Sequence, residues 1–250
     1  MSAPHTSQAV VLRTIEYSDT SLIVRLFTET YGKVTVMARG ARRPKHALHG
    51  VLSVPHRLAV DYRHKDGRDI QTLVGVELAD SYAALAGDLG RSAAAWLLVE
   101  MLDRAVQVAD PLPLLFRLIT SSLEQLNTTT GDFPTVVHFY QLQLARQLGY
   151  ALQLEKCPRC GRQVQTAVLD PLGGDLLCVR CRPSGSLRLG RAALSYLRDL
   201  AATHISELDS LHPASGVRQE VDQFLLKYLF IHVDGMDKLR SLKFWRQVRK

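Results

Sequence analysis

The sequence predicts an α+β protein: a small amino-terminal β-barrel followed by an α-helical domain that carries an inserted four-cysteine module. Two observations lead to this. The hydrophobic period changes from two residues to about 3.6 near residue 80. The cysteines stand as Cys157-Pro158-Arg159-Cys160 and Cys178-Val179-Arg180-Cys181, two C-x2-C pairs with 17 residues between them. The predicted divisions are a barrel domain over 1–80 and a helical domain over 81–250, with the cysteine module inserted at 156–183.

Residues 8–16, 21–29 and 33–39 are short runs rich in Val, Ile, Leu and Thr, and Thr30-Tyr31-Gly32 reads as a hairpin turn between the last two. Runs at 51–62 and 70–78 follow, divided by a charged, glycine-containing turn. Five strands in this space suggest a small barrel. Arg39-Gly40-Ala41-Arg42-Arg43-Pro44-Lys45 lies between the third and fourth runs and is predicted to form a basic loop at the rim.

Beyond residue 80 the reading is helical. Over 91–108 the polar residues Glu100, Asp103, Arg104 and Gln107 recur at i, i+3, i+4 and i+7, leaving one narrow wet stripe on a largely buried helix. Asp110-Pro111 offers an N-cap and first-turn pair for a helix to about Leu126, and Pro134 and Gly149 bracket the next. Helices resume near 189–202, 217–233 and 238–250. In the second of these, Val217, Val221, Phe224, Leu225 and Tyr228 mark a core face rather than a cofactor box.

Each cysteine pair forms a tight turn able to aim two sulfurs at one ion, and Gly161 provides the positive φ such a turn needs. Four thiolates leave no open coordination position. Cys157, Cys160, Cys178 and Cys181 are therefore expected to hold a structural Zn2+. Disulfides are the alternative, but two residues between paired cysteines make a strained ring, and residues 1–7 lack signal-peptide character. A cytoplasmic location is expected, as no apolar run approaches the roughly 18 residues of a membrane span.

The formal charge is +7. The excess is concentrated in three islands, 1–80, 156–191 and 238–250, with net acidic helical stretches between them. No acidic residue falls between Glu29 and Asp61, whereas Lys33, Arg39, Arg42, Arg43, Lys45 and Arg57 do, with His46, His49 and His56. Such a field suits a polyanion, although a solubilising surface produces the same count. Catalytic motifs are missing: there is no phosphate-binding G-x-x-x-x-G-K-[ST], no G-x-G-x-x-G, no H-E-x-x-H, no G-x-S-x-G and no H-x-E. No enzymatic activity is expected.

Val11-Leu12-Arg13, Tyr17-Ser18-Asp19-Thr20-Ser21-Leu22, Phe27-Thr28-Glu29, Gly32-Lys33-Val34 and Ala38-Arg39-Gly40-Ala41-Arg42-Arg43 together resemble, in order and spacing, the bacterial DNA repair family RecO. The paired C-x2-C module and the Leu225-Leu226-Lys227-Tyr228-Leu229 helix, followed by a basic terminal helix, are similar in layout. The resemblance implies an amino-terminal OB-fold and no turnover. It also implies a recombination mediator that binds single- and double-stranded DNA, anneals strands coated by single-strand-binding protein, and with RecR helps RecA to load, in the cytoplasm at the nucleoid.

On this reading Lys33, Arg39, Arg42, Arg43, Lys45 and Arg57 contact phosphates, and Arg159, Arg162, Arg180 and Arg182 beside the cysteines extend that track. Tyr31 and Tyr62 are the candidate base-stacking platforms. Two other readings use the same residues: a zinc-ribbon regulator reading duplex DNA by sequence, and a zinc-dependent nuclease, which the closed set of four thiolates disfavours.

Overall fold

The structure, a computed structural model, describes residues 4–44, 48, 50–107, 110–130 and 133–248. Five strands, β1 (His5–Glu16), β2 (Leu22–Thr28), β3 (Gly32–Ala38), β4 (Arg57–Arg63) and β5 (Ile70–Asp80), form a closed barrel in the order β1-β2-β3-β5-β4. All neighbours are antiparallel except β3 and β5, which run parallel with Thr35 opposite Ile70. This is the expected OB-fold. β1 is long enough, at 12 residues, to pair with both β2 and β4 and so close the ring.

Alternate residues of β2, β3 and β4 build much of the barrel core. Val24 and Leu26, Val36 and Ala38, and Leu58, Val60 and Tyr62 all point inward and are at most 1% exposed. The fourth strand is shorter than the apolar run 51–62 suggested. Residues 51–56 form a turn, because Pro55 has no N–H to enter a ladder and the polar side chains bond back onto their own segment. His56 Nδ1 lies 2.9 Å from the Val51 carbonyl, and Ser53 Oγ donates to the Gly50 carbonyl at 2.8 Å. Leu52 from this turn still joins the core, at 3% exposed.

A short α1 (Ala83–Ala86) precedes α2 (Leu89–Ala105), whose first turn is capped by the Asp88 carboxylate accepting from the Arg91 N–H at 2.9 Å. Next come α3 (Pro113–Thr128) and α4 (Phe133–Gln147). α3 begins two residues later than the Asp110-Pro111 pair suggested. Pro113 biases Leu112 away from helical φ and ψ and itself takes the first helical position. The chain continues through β6 (Ala167–Leu169), β7 (Leu176–Cys178) and β8 (Leu187–Leu189), then α5 (Arg191–Ala202), α6 (Ser215–His232) and α7 (Ser241–Val248). The three short strands form an antiparallel sheet in the order β7-β6-β8 around the cysteine segment.

Packing divides the chain into two compact units, Met1–Asn127 with Leu239–Lys250, and Thr128–Lys238. The change of period at residue 80 marks the end of the barrel, while α2 and α7 pack within the barrel's own unit. In the first unit the two carboxylates of the α2 polar stripe are bonded to protein rather than left to water. Asp103 receives Arg25 at 3.0 Å and Lys33 at 2.8 Å, and Glu100 caps α7 by accepting the Arg240 N–H at 3.0 Å and the Ser241 N–H at 2.8 Å. Gly32, at φ +64°, sits so close to Asp110 that a Cβ there would collide with the Asp110 carbonyl oxygen.

The Glu100 cap predicts a pH dependence. Burial by itself would raise its carboxyl, but the Ser241 hydroxyl, two backbone N–H donors and Arg104 outweigh it and hold the group below its ordinary 4.5. A depressed carboxylate contributes stability that is present above 4.5 and lost as pH falls through the lower folded value. Glu100→Gln should therefore cost about 1–2 kcal/mol at pH 7. The gap from wild type should close in denaturant melts taken progressively below pH 4.5.

In the second unit α4, α5 and α6 enclose a polar network. His138, 0% exposed, places Nε2 2.7 Å from Asp222 Oδ1 and Nδ1 3.2 Å from the Tyr196 hydroxyl, which donates to Thr135 Oγ1. Both ring nitrogens are thus occupied, and the group ties three helices together.

Candidate nucleic-acid interface and cysteine centre

The loop after β3 turns through Gly40 and is pinned to the β1–β2 connection. The Arg42 N–H donates to the Thr20 carbonyl at 3.1 Å, and its guanidinium reaches the Ser18 carbonyl at 2.7 Å and Glu16 Oε2 at 2.8 Å. Arg42 is therefore an anchor of the loop. Its neighbours Arg39 and Arg43 are exposed and border a cleft of about 550 Å³ with Thr20, Ser21, Met37 and Tyr17, whose ring is 62% exposed. Cations and an available aromatic face stand together at the barrel rim, the combination that single strands use.

The other predicted phosphate-binding residues are distributed differently. Lys33 projects into the first unit, where its ammonium meets Asp103 Oδ1 at 2.8 Å and the carbonyls of Asp103 and Val106 at 2.5 and 2.7 Å. Three donors meet three acceptors, leaving no N–H for a phosphate. Lys33→Ala is accordingly expected to destabilise the protein by about 2–4 kcal/mol in urea melts while leaving the salt dependence of DNA binding unchanged. Arg57, half-buried at the start of β4, lies beside Tyr82 and does not line the cleft, and its Nε has no hydrogen-bond partner among the described residues. Lys45, His46 and His49 lie outside the described residues.

The aromatic candidates also change. Tyr62 is 1% exposed, and burial, then neighbouring Tyr31, pushes its hydroxyl up to about 12. Tyr31 is half-buried, stacked on His5 at 4.3 Å and edge-on to Tyr62 at 5.9 Å. Both belong to the packing of the barrel end. A second cationic cluster occupies the β4–β5 turn, where Arg63, Lys65 and Arg68 surround a cleft with Ile70, and Gln71 holds the turn by accepting from the Lys65 N–H at 2.8 Å and donating to the Arg68 carbonyl at 2.7 Å.

The four cysteines come together as their spacing predicts. Their sulfurs all lie within 4.8 Å of one another, with Cys160 and Cys178 at 3.6 Å, and none is in a disulfide. Two metal–sulfur bonds of about 2.3 Å at a tetrahedral angle would place sulfurs about 3.8 Å apart, so the cluster fits one closed metal site. The first pair sits on a knuckle: Cys157 N–H donates to the Arg162 carbonyl at 2.9 Å, Gly161 N–H to the Cys157 carbonyl at 2.8 Å, and Gly161 takes φ +72°. The second pair follows β7 into a 3-10 turn, Val179–Cys181.

The electrostatics of Cys157, Cys178 and Cys181 point the same way. Burial opposes thiolate formation at Cys157, yet N–H groups of Cys178, Cys160 and Arg159 bring it down to about 6. At Cys178 burial is likewise outweighed, by the N–H groups of Cys181 and Arg180, and the thiol is lowered. Cys181 is pushed up to about 12, first by burial, then by hydrogen bonds to the sulfurs of Cys160, Cys178 and Cys157, and last by the charge of Cys157. Four sulfurs this close cannot all ionise without a cation among them, which is the condition a bound dication meets. Arg159, Arg162, Arg180 and Arg182 are exposed around this centre, with Arg159 held by the Cys181 carbonyl at 3.1 Å and by Asp170 at 3.6 Å.

Two family descriptions match this chain: Recombination protein O N terminal over residues 1–82, and Recombination protein O C terminal over 86–243. The chain belongs to the RecO family. Among its relatives, the DNA repair protein RecO of Salinibacter ruber is 31% identical over 94% of this chain and 92% of its own. That of Chlorobium limicola is 29% identical over 94% and 95%, and that of Pelobacter propionicus 30% over 98% and 97%. The similarity to these RecO proteins therefore spans both compact units. Among the described residues, no helix is long and apolar enough to cross a membrane.

Within this RecO-family barrel, sequence reasoning missed Tyr17 as an exposed ring and Arg63, Lys65 and Arg68 as a cluster. The signal for Tyr17 was its position in a polar turn, where nothing can bury it. The signal for the cluster was three cations within six residues of a hairpin.

Proposed function

We propose that this RecO-family chain is a non-enzymatic recombination mediator in DNA repair. It binds single- and double-stranded DNA without strong sequence preference and anneals complementary strands. With a RecR-like partner it assists RecA loading onto DNA coated by single-strand-binding protein, in the cytoplasm at the nucleoid. The observation that carries this reading is the rim cleft, where exposed Arg39 and Arg43 flank the exposed Tyr17 ring on a closed barrel. Guanidinium groups neutralise phosphates whatever the sequence, and an aromatic face accepts any base. Annealing follows because a polycationic surface screens the repulsion between two phosphate backbones and lowers the cost of their encounter.

Residues 1–80 serve as the DNA-binding domain, and residues 81–250 as the helical domain with the module at 156–183. Its four thiolates hold a structural Zn2+, while Arg159, Arg162, Arg180 and Arg182 offer a second phosphate-binding surface. His138, 0% exposed and bonded at both ring nitrogens to Asp222 and Tyr196, is part of the packing. The test is to mix the protein with complementary oligonucleotides coated by single-strand-binding protein, without ATP, and follow duplex formation. Acceleration over the protein-free rate is expected, and an unchanged rate would overturn the reading.

A further inference from the structure

Trp96 is out of keeping with its helix. Ala95 and Leu97 on either side are 0% exposed, yet the indole between them is 46% exposed, leaning on Phe244 with ring centroids 5.6 Å apart. It faces a cleft of about 1000 Å³ bounded by the β1–β3 wall of the barrel, by α2 and by the start of α7. The cleft is lined by five cations, Arg13, Arg25, Lys33, Arg104 and Arg240, against the two carboxylates Glu100 and Asp103.

Those carboxylates are already committed. Asp103 is neutralised by Arg25 and Lys33, and Glu100 accepts two backbone N–H groups and the Ser241 hydroxyl. The potential in the cleft is therefore set by Arg13 and Arg240, both exposed, and by Arg104, which is 3.8 Å from Glu100 and 36% exposed.

We propose that this cleft is a second binding site for single-stranded nucleic acid, with Trp96 stacking on a base and Arg13, Arg104 and Arg240 meeting the flanking phosphates. The proposal rests on the nucleic-acid reading above and deepens it, since it assigns a base-stacking residue away from the rim. The chemistry selects the occupant. An indole face is matched by an unstacked base, which a duplex does not offer, and guanidinium groups beside it are matched by the phosphates that a strand carries on either side of each base. A stacked base would also cover the apolar surface that Trp96 leaves in water.

The chain has two tryptophans, and Trp245 is 2% exposed, so quenching of intrinsic emission on strand binding reports chiefly on Trp96. Full-length protein would be titrated with oligo(dT), following intrinsic fluorescence together with the anisotropy of a labelled strand. Wild type should be quenched as it binds, and Trp96→Phe should bind within about twofold of wild type but lose most of the quenching. Trp96→Ala should bind about fivefold or more weakly, as expected when one stack is removed. Because Trp96 is half exposed, both variants should melt close to wild type, and the phenylalanine variant keeps the test valid if the alanine variant does not.

Binding that leaves Trp96 emission unchanged, with wild-type affinity in both variants, would overturn the second site while leaving the rim site standing. Quenching by a poly-glutamate peptide but not by oligo(dT) would also overturn it and reassign the cleft to acidic peptides. Absence of any strand binding would sink the nucleic-acid reading itself.

Discussion

Replacing Cys157 and Cys160 together by Ser should abolish stoichiometric metal binding and unfold the segment around β6, β7 and β8. Structural zinc contributes on the order of 10–16 kcal/mol to small cysteine modules, far more than a three-stranded sheet of three-residue strands can replace. The effect should spread to the neighbouring helices. His232 Nε2 of α6 lies 3.2 Å from the carbonyl of Gly174, between β6 and β7, and Arg198 of α5 donates to the Leu154 and Val164 carbonyls at 2.8 and 2.7 Å. Zinc content by mass spectrometry of the native protein and thermal melts with and without chelator would check it. A parent protein that is fully stable and carries no metal would contradict the assignment.

The second large effect is expected at the rim. Arg39→Ala with Arg43→Ala should weaken binding to oligonucleotides of any sequence and reduce the magnitude of the salt slope by about 0.7–0.9 for each phosphate no longer neutralised. Two such phosphates give a slope smaller by about 1.4–1.8. Arg42→Ala is expected to act differently: its guanidinium is spent on Glu16 and the Ser18 carbonyl, so its removal loosens the loop. The measurement is log affinity against log salt for a labelled single strand. A folded double variant with the wild-type slope would show that these arginines meet no phosphate.

The barrel was legible because short Val-, Ile- and Leu-rich runs are punctuated by turns, β4 alternates cleanly, and Gly32 closes a tight turn between β2 and β3. The cysteine centre was legible because spacing alone limits what four thiols can do. Side-chain direction was not. A charge count places Lys33 in the same basic field as Arg39, but the count carries no direction, and Asp103 lies 70 residues away in sequence. Tyr62 fell to the same limit: it stands two residues from Val60 on the inward face of β4, which the period reveals only once the strand's start at Arg57 is known. β6, β7 and β8 were missed because three residues are too few to show a period. The exposure of Trp96 was hidden as well, since a helix that is apolar almost all round does not tell which side chain faces an opening.

The bond between Glu100 and Ser241 spans 141 residues. At a ribosome adding about 5–20 residues per second, α2 would be made roughly 7–28 s before the helix that covers it. The whole of Thr128–Lys238 emerges in that interval, so the second unit can finish folding while the first still waits for its last piece. During translation, the α2 surface that later packs against α7 is a transient apolar patch, and it is at this stage that a nascent chain would call on a chaperone.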